Sequence, residues 1–136
     1  MKNQDKYDAG IIDCCRQDPE ELIFFRLRDK QVEITTTVSG NDKTSALTAE
    51  LIYEIFNKTN TGMRVYKSAV RLKLLTKEMN ILYDNLEALK KNPDSKIVLR
   101  KLKALLRRES SFAAFKRCYV RENLKEYPQL AEYVAL

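Results

Sequence analysis

The sequence predicts a mainly α (α+β) protein: a helical bundle of about four to five helices, with one long central helix and a small N-terminal β-hairpin. Three observations lead there. Only three Gly and three Pro occur in 136 residues, too few breakers for a turn-rich β protein and well suited to long helices. Apolar residues recur at helical spacing over most of the chain from residue 46 onward. One stretch alone, QVEITTTV at residues 31–38, is both β-branched and alternating. The length, the 44% apolar content and the 32% charged content are those of a single globular domain that can bury a core.

Residues 1–8 are polar, and Asp8 is placed to cap a short helix running to Cys15. Asp18-Pro19-Glu20-Glu21 is a helix start, with a capping aspartate, proline in the first turn and acids at the positive end. LIFFRLR then reads as a strand, because QVEITTTV needs a partner. The expected hairpin joins Leu22–Arg28 to Gln31–Val38 through Asp29-Lys30, the alternative being that LIFFRLR continues the preceding helix. SGNDKTS, residues 39–45, is read as a loop. From Ala46 a helix runs to about Lys58 with Leu47, Leu51, Ile52, Ile55 and Phe56 on one side.

KTNTG breaks that helix, and Gly62 offers a position for positive φ. The longest helix follows, from Met63 or Arg64 to about Lys91. Its main stripe ends in Leu72, Leu75, Met79, Leu82, Leu86 and Leu89, spaced 3, 4, 3, 4 and 3, a coiled-coil-like seam that suits a monomer core or a homodimer. Tyr66, Val70, Leu74 and Ile81 form a second stripe, and apolar residues on two sides predict a central core helix. Asn92-Pro93-Asp94-Ser95 separates it from a helix over Lys96–Arg108. Glu109-Ser110-Ser111 is a second break, with serine capping a helix over Phe112–Glu126 whose core side is Phe112, Phe115, Tyr119 and Leu124. After Pro128, QLAEYVAL ends as a short helix or docked tail.

Histidine is absent, which removes His-based nucleophilic sites and His-ligated zinc. Cys14, Cys15 and Cys118 do not form a disulfide framework or a CxxC pair. The acids at 13, 18, 20, 21, 33 and 42 show no metal-nuclease spacing. The expectation is a protein without catalytic residues, metal or cofactor. No apolar run spans a bilayer and the start lacks a signal-peptide core, so the expected location is cytoplasmic, with no membrane partner.

Charge is the informative global property. The formal net is +6, yet residues 1–57 carry 7 basic and 11 acidic side chains, whereas 58–125 carry 18 basic and 6 acidic. An acidic N-terminal part (1–57) thus precedes a basic helical part (58–136) within one domain. On the helix over 96–108, Lys96, Arg100, Lys103 and Arg107 form one row, and Lys101 and Arg108 a second. Both rows lie off an apolar arc of roughly 120° formed by Val98, Leu99, Leu102, Leu105 and Leu106. No acid intervenes, and adjacent like charges on a helix are unfavourable, unlike an ordinary mixed solvent face. Arg117, Arg121 and Lys125 make a further row.

A third basic element opens the long helix. Arg64, Lys67, Ser68 and Arg71 follow a helix and a glycine-containing turn, so residues 46–75 resemble a helix-turn-helix in layout. There, polar residues at the start of the second helix face base edges and phosphates. The leading expectation is therefore nucleic-acid binding, DNA ahead of RNA, through Arg64, Lys67, Ser68, Arg71, Lys96, Arg100, Lys103, Arg107, Arg108, Arg117 and Arg121. The alternative is a helical protein–protein interaction module, an adapter or inhibitor of a larger complex, with the acidic N-terminal part meeting a protein partner.

Overall fold

The computed structural model describes residues 18–28, 31–57 and 62–136, with helix backbone alone for 57 and 62–69. In chain order the elements are α1 (Pro19–Leu22), β1 (Ile23–Arg28), β2 (Gln31–Thr36), α2 (Lys43–Asn57), α3 (Gly62–Lys91), α4 (Lys96–Leu105), α5 (Ala113–Glu122) and a closing 3-10 helix, Pro128–Tyr133. The fold is mainly helical with a two-stranded antiparallel hairpin, as the sequence predicts. It divides into two compact units inside α3, one reaching Leu72 and one spanning Lys73–Ala135. The expected helix over residues 8–15, the Asp29-Lys30 turn and the KTNTG break lie outside the described residues, apart from Gly62, which becomes the first residue of α3.

In the first unit, Asp18 accepts a hydrogen bond from the Glu20 amide at 3.0 Å and caps the single turn of α1. The chain then extends directly into β1. The hairpin register sets Phe25 opposite Ile34 and Arg26 opposite Glu33. One face carries Ile23, Phe25 and Val32, all buried, and α2 packs against β2. The other face is polar. Arg26 stands 3.7 Å from Glu33 and lies over the Phe24 ring at 4.9 Å. The hairpin is thus half-buried, as an alternating strand should be.

The second strand ends at Thr36 rather than Val38, which is 95% exposed. The next position of the register sets Thr37 opposite Leu22, which belongs to α1. The Thr37 amide still donates to Leu22 O and its hydroxyl to Glu21 O, and the chain then turns at residues 38–39. Gly40 closes this turn by donating to Thr37 O at 3.0 Å. A Cβ on Gly40 would sit 1.9 Å from the Leu22 carbonyl oxygen, so only glycine fits. The next helix starts three residues earlier than expected. Asp42 is its cap, taking the Ser45 hydroxyl on its carboxylate while its carbonyl accepts the Ala46 amide. The Ser45 hydroxyl holds the Asp42 carboxyl below the usual carboxylate range.

The core of the second unit is built on the main stripe of α3. Leu75, Met79, Leu82, Leu86 and Leu89 are 0–1% exposed, so the heptad-like seam is spent inside the monomer. Leu102, Leu106, Phe115, Val120, Leu130 and Val134 join them in the core. Each fully buried leucine contributes about 1.5–3 kcal/mol. Tyr83 and Tyr119 pack edge to face at 4.9 Å, and burial raises both hydroxyl pKa values. The second stripe departs from expectation: Val70, Leu74 and Ile81 are exposed. Two apolar sides do not make α3 a helix buried all round.

Lys116 is buried to 1% exposure, its ammonium 3.8 Å from Glu78. Burial lowers its pKa, and the Glu78 charge offsets this only in part. A lysine whose folded pKa is depressed binds fewer protons folded than unfolded between the two values. Stability therefore rises with pH from the folded pKa toward the unfolded value of about 10.4. Lys116→Met is expected to be neutral or stabilising near pH 7, because Glu78 still reaches water, and to lose this alkaline gain. Urea unfolding of both proteins from pH 7 to 10 checks it. Parallel curves would show that no buried charge is being relieved.

Candidate nucleic-acid interface

The basic stretch starts at a well-made helix end. Asn92-Pro93-Asp94 stops α3, and the Ser95 hydroxyl accepts the Val98 amide at 3.3 Å to cap α4. Leu102 and Leu106 are fully buried, and Val98, Leu99 and Leu105 half-buried. Fixing this apolar side forces Lys96, Arg100, Lys101 and Lys103 outward, and all four are exposed. Ile97, outside the apolar arc, is 69% exposed.

α4 ends at Leu105 instead of Arg108. The Ser110 hydroxyl takes the Leu105 carbonyl at 2.7 Å, and the Arg117 guanidinium takes that of Leu106 at 2.9 Å. The i to i+4 ladder itself ends one residue on, where the Arg107 amide donates to Ala104 O, three residues back, and the Ser110 and Arg117 bonds satisfy carbonyls left over at this helix end. Arg107 and Arg108 are consequently displayed, exposed, on the turn that follows rather than on a helical row. Lys103 lies 6.0 Å from the centre of the Tyr133 ring, which steadies it against the C-terminal turn. Among the described residues, no ion pair engages Lys96, Arg100, Lys101 or Arg107.

The α5 row is placed otherwise. The helix begins at Ala113 rather than Phe112, which is left-handed at φ 54° with no side-chain cap, and it ends at Glu122 rather than Glu126. Nearly every side of α5 is covered. Arg117 is 3% exposed and donates to the carbonyls of Leu106, Tyr133 and Ala135 at 2.6–2.9 Å. Arg121 donates to Val134 O at 3.0 Å and contacts the Sγ of buried Cys118 at 3.3 Å. Both arginines satisfy carbonyls that helix C-termini leave without partners. They hold the tail QLAEYVAL in place and leave the phosphate-binding set. Lys125 stays exposed, and Lys90 pairs with Glu126 at 3.3 Å, an interaction that raises the Lys90 pKa.

The helix-turn-helix-like element is described in part. α2 and α3 are both present, but the side chains of Arg64, Lys67 and Ser68 lie outside the described residues. Arg71 is exposed, and its guanidinium lies 3.5 Å from Ile55 O at the end of α2. It belongs to the first unit, whereas every candidate from Lys96 onward belongs to the second. That division sharpens the charge pattern. Residues 73–135 hold 14 basic and 8 acidic side chains, a net +6, and the remaining residues balance at 11 and 11.

Among the described residues no cluster of three or more His, Cys, Asp or Glu could hold a metal ion. No described helix is long and apolar enough to cross a membrane. No protein-family model, curated protein or solved structure matches the chain.

Proposed function

We propose that the protein binds nucleic acid without catalysing a reaction on it, gripping phosphates through the exposed cations between Lys96 and Arg108. The observation that carries this reading is an exposed face with six cations and no acid in thirteen residues, set in the unit that holds the chain's whole net charge. Such a face repels itself, and a polyanion that releases its counterions on contact relieves the repulsion. Arg71, with Arg64, Lys67 and Ser68 at the start of α3, supplies a second contact region on this reading.

Duplex is the favoured form. Every aromatic side chain between residues 73 and 135 is buried or half-buried, which leaves no exposed platform for stacking unpaired bases. Contacts to a phosphate backbone need no such platform. DNA ranks ahead of RNA because the helix pair α2–α3 has the order of a groove-reading unit.

Titration of labelled duplex DNA, single-stranded DNA and RNA at ~50 and ~200 mM salt tests the proposal. About six phosphate contacts would weaken binding roughly a thousandfold across that range. Duplex should bind tightest. Absence of binding to all three at the lower salt rejects the reading and leaves the alternative, a protein-interaction module, to be pursued.

A further inference from the structure

The exposed side of α4 is not uniform. Six of its ten residues are exposed, Lys96, Ile97, Arg100, Lys101, Lys103 and Ala104, and at 100° per residue they share one arc of roughly 160°. Lys103 and Lys96 hold one edge of this arc and Lys101 the other. Arg100, Ala104 and Ile97 lie between them, and Ile97 is 69% exposed. No acid occurs on α4. The arc is thus cationic at both margins, with two apolar side chains and one arginine along its middle.

We propose that α4 lies lengthwise in the major groove of duplex DNA, with Ile97 and Ala104 against thymine methyl groups. This placement rests on the nucleic-acid reading above and adds to it the groove and the base chemistry. An α-helix with its side chains is about 10–12 Å across, and the major groove of B-form DNA is about 12 Å wide and about 8.5 Å deep. With the middle of the arc turned to the groove floor, Lys101 points to the phosphates of one strand, and Lys96 and Lys103 to those of the other. Ile97 and Ala104 stand two turns apart, about 10 Å, a reach over which a recognition helix reads about three base pairs. Apolar side chains at that depth distinguish thymine by its 5-methyl group, and Arg100 beside them carries the fork that guanine O6 and N7 accept. The major groove of A-form RNA is too narrow for this insertion. A bilayer surface or a protein groove would need a long apolar stripe on the helix. That of α4 is spent in the core, where Leu102 and Leu106 are fully buried.

Titration of the full chain against an alternating A·T duplex, and against the same duplex with uracil in place of thymine, tests the placement. The exchange removes the methyl groups and leaves every phosphate where it was. The thymine duplex should bind about fourfold tighter for each methyl group covered, or roughly fifteenfold for two. Ile97→Ala should lose about fourfold on the thymine duplex and much less on the uracil one. Lys101→Ala should weaken both duplexes alike, as loss of a phosphate contact does. Both positions are exposed, and circular dichroism verifies that each variant is folded. Equal affinity for the two duplexes, or a thymine preference that Ile97→Ala retains, overturns the groove placement and leaves phosphate binding standing. Binding to neither duplex removes both readings, and binding to phosphatidylserine vesicles in its place would make a lipid surface the occupant.

Discussion

Arg117→Met is expected to be the most damaging single substitution of a charged residue in the second unit. The guanidinium is buried and donates to three carbonyls: Leu106 O at the end of α4, and Tyr133 O and Ala135 O at the end of the chain. Helix C-termini concentrate partial negative charge on such carbonyls, and one planar fork serves both ends. Methionine fills similar volume but leaves three acceptors without this donor. A buried acceptor left unsatisfied costs about 1–3 kcal/mol, and partial re-solvation at the chain end limits the sum. A loss of about 3–5 kcal/mol is expected, or a fall in Tm of about 10–20 °C. Arg100→Met, on the exposed side of α4, should change stability by less than about 0.5 kcal/mol. Thermal unfolding of the two variants side by side checks this. Equal melting temperatures would mean that Arg117 does not hold the tail.

The second large effect is on binding. Arg100→Glu, Lys103→Glu and Arg107→Glu together are expected to weaken duplex DNA binding on the order of a hundredfold or more at moderate salt. The slope of log affinity against log salt should become shallower by about 0.9 for each phosphate that is no longer neutralised. Stability should hardly move. Arg100 and Arg107 have no intrachain ion pair among the described residues, and Lys103 gives up only a surface interaction over Tyr133, worth about 0.5–1 kcal/mol at most. Arg117→Met should leave the affinity intact wherever that variant is folded. Opposite behaviour of two sets of arginines thus separates binding from scaffolding. Unchanged affinity in the triple variant would remove the face between Lys96 and Arg108 from consideration.

The contrast shows what the sequence makes legible. Periodicity gives the hairpin, the stripe from Leu75 to Leu89 and the outward side of α4, because each is fixed by local spacing and by a side that must be buried. It does not tell which of several arcs a neighbour will cover. Arg117 and Arg121 are spaced like a solvent row, yet the tail folds over them. Val70, Leu74 and Ile81 are spaced like core, yet they face outward. Helix ends escape for a related reason. Arg107 and Arg108 are good helix formers, yet α4 stops at Leu105, where Ser110 and Arg117, residues beyond the helix itself, take up its last carbonyls. The start of α2 is within reach of the sequence: Asp42 is a favoured N-cap residue hidden inside a stretch that composition marks as loop.

The way the tail is held sets which changes this chain can absorb. Arg117 and Arg121 grip main-chain oxygens of Tyr133, Val134 and Ala135, and every residue type supplies the same oxygen. Ala135, whose side chain is exposed, can be exchanged freely without the arginines registering it. Spacing has no such latitude. One residue inserted or removed between Glu122 and Pro128 would slide every carbonyl past its donor and lift Leu130 and Val134 out of the core. Over evolutionary drift, this segment should vary in its letters and hold its length.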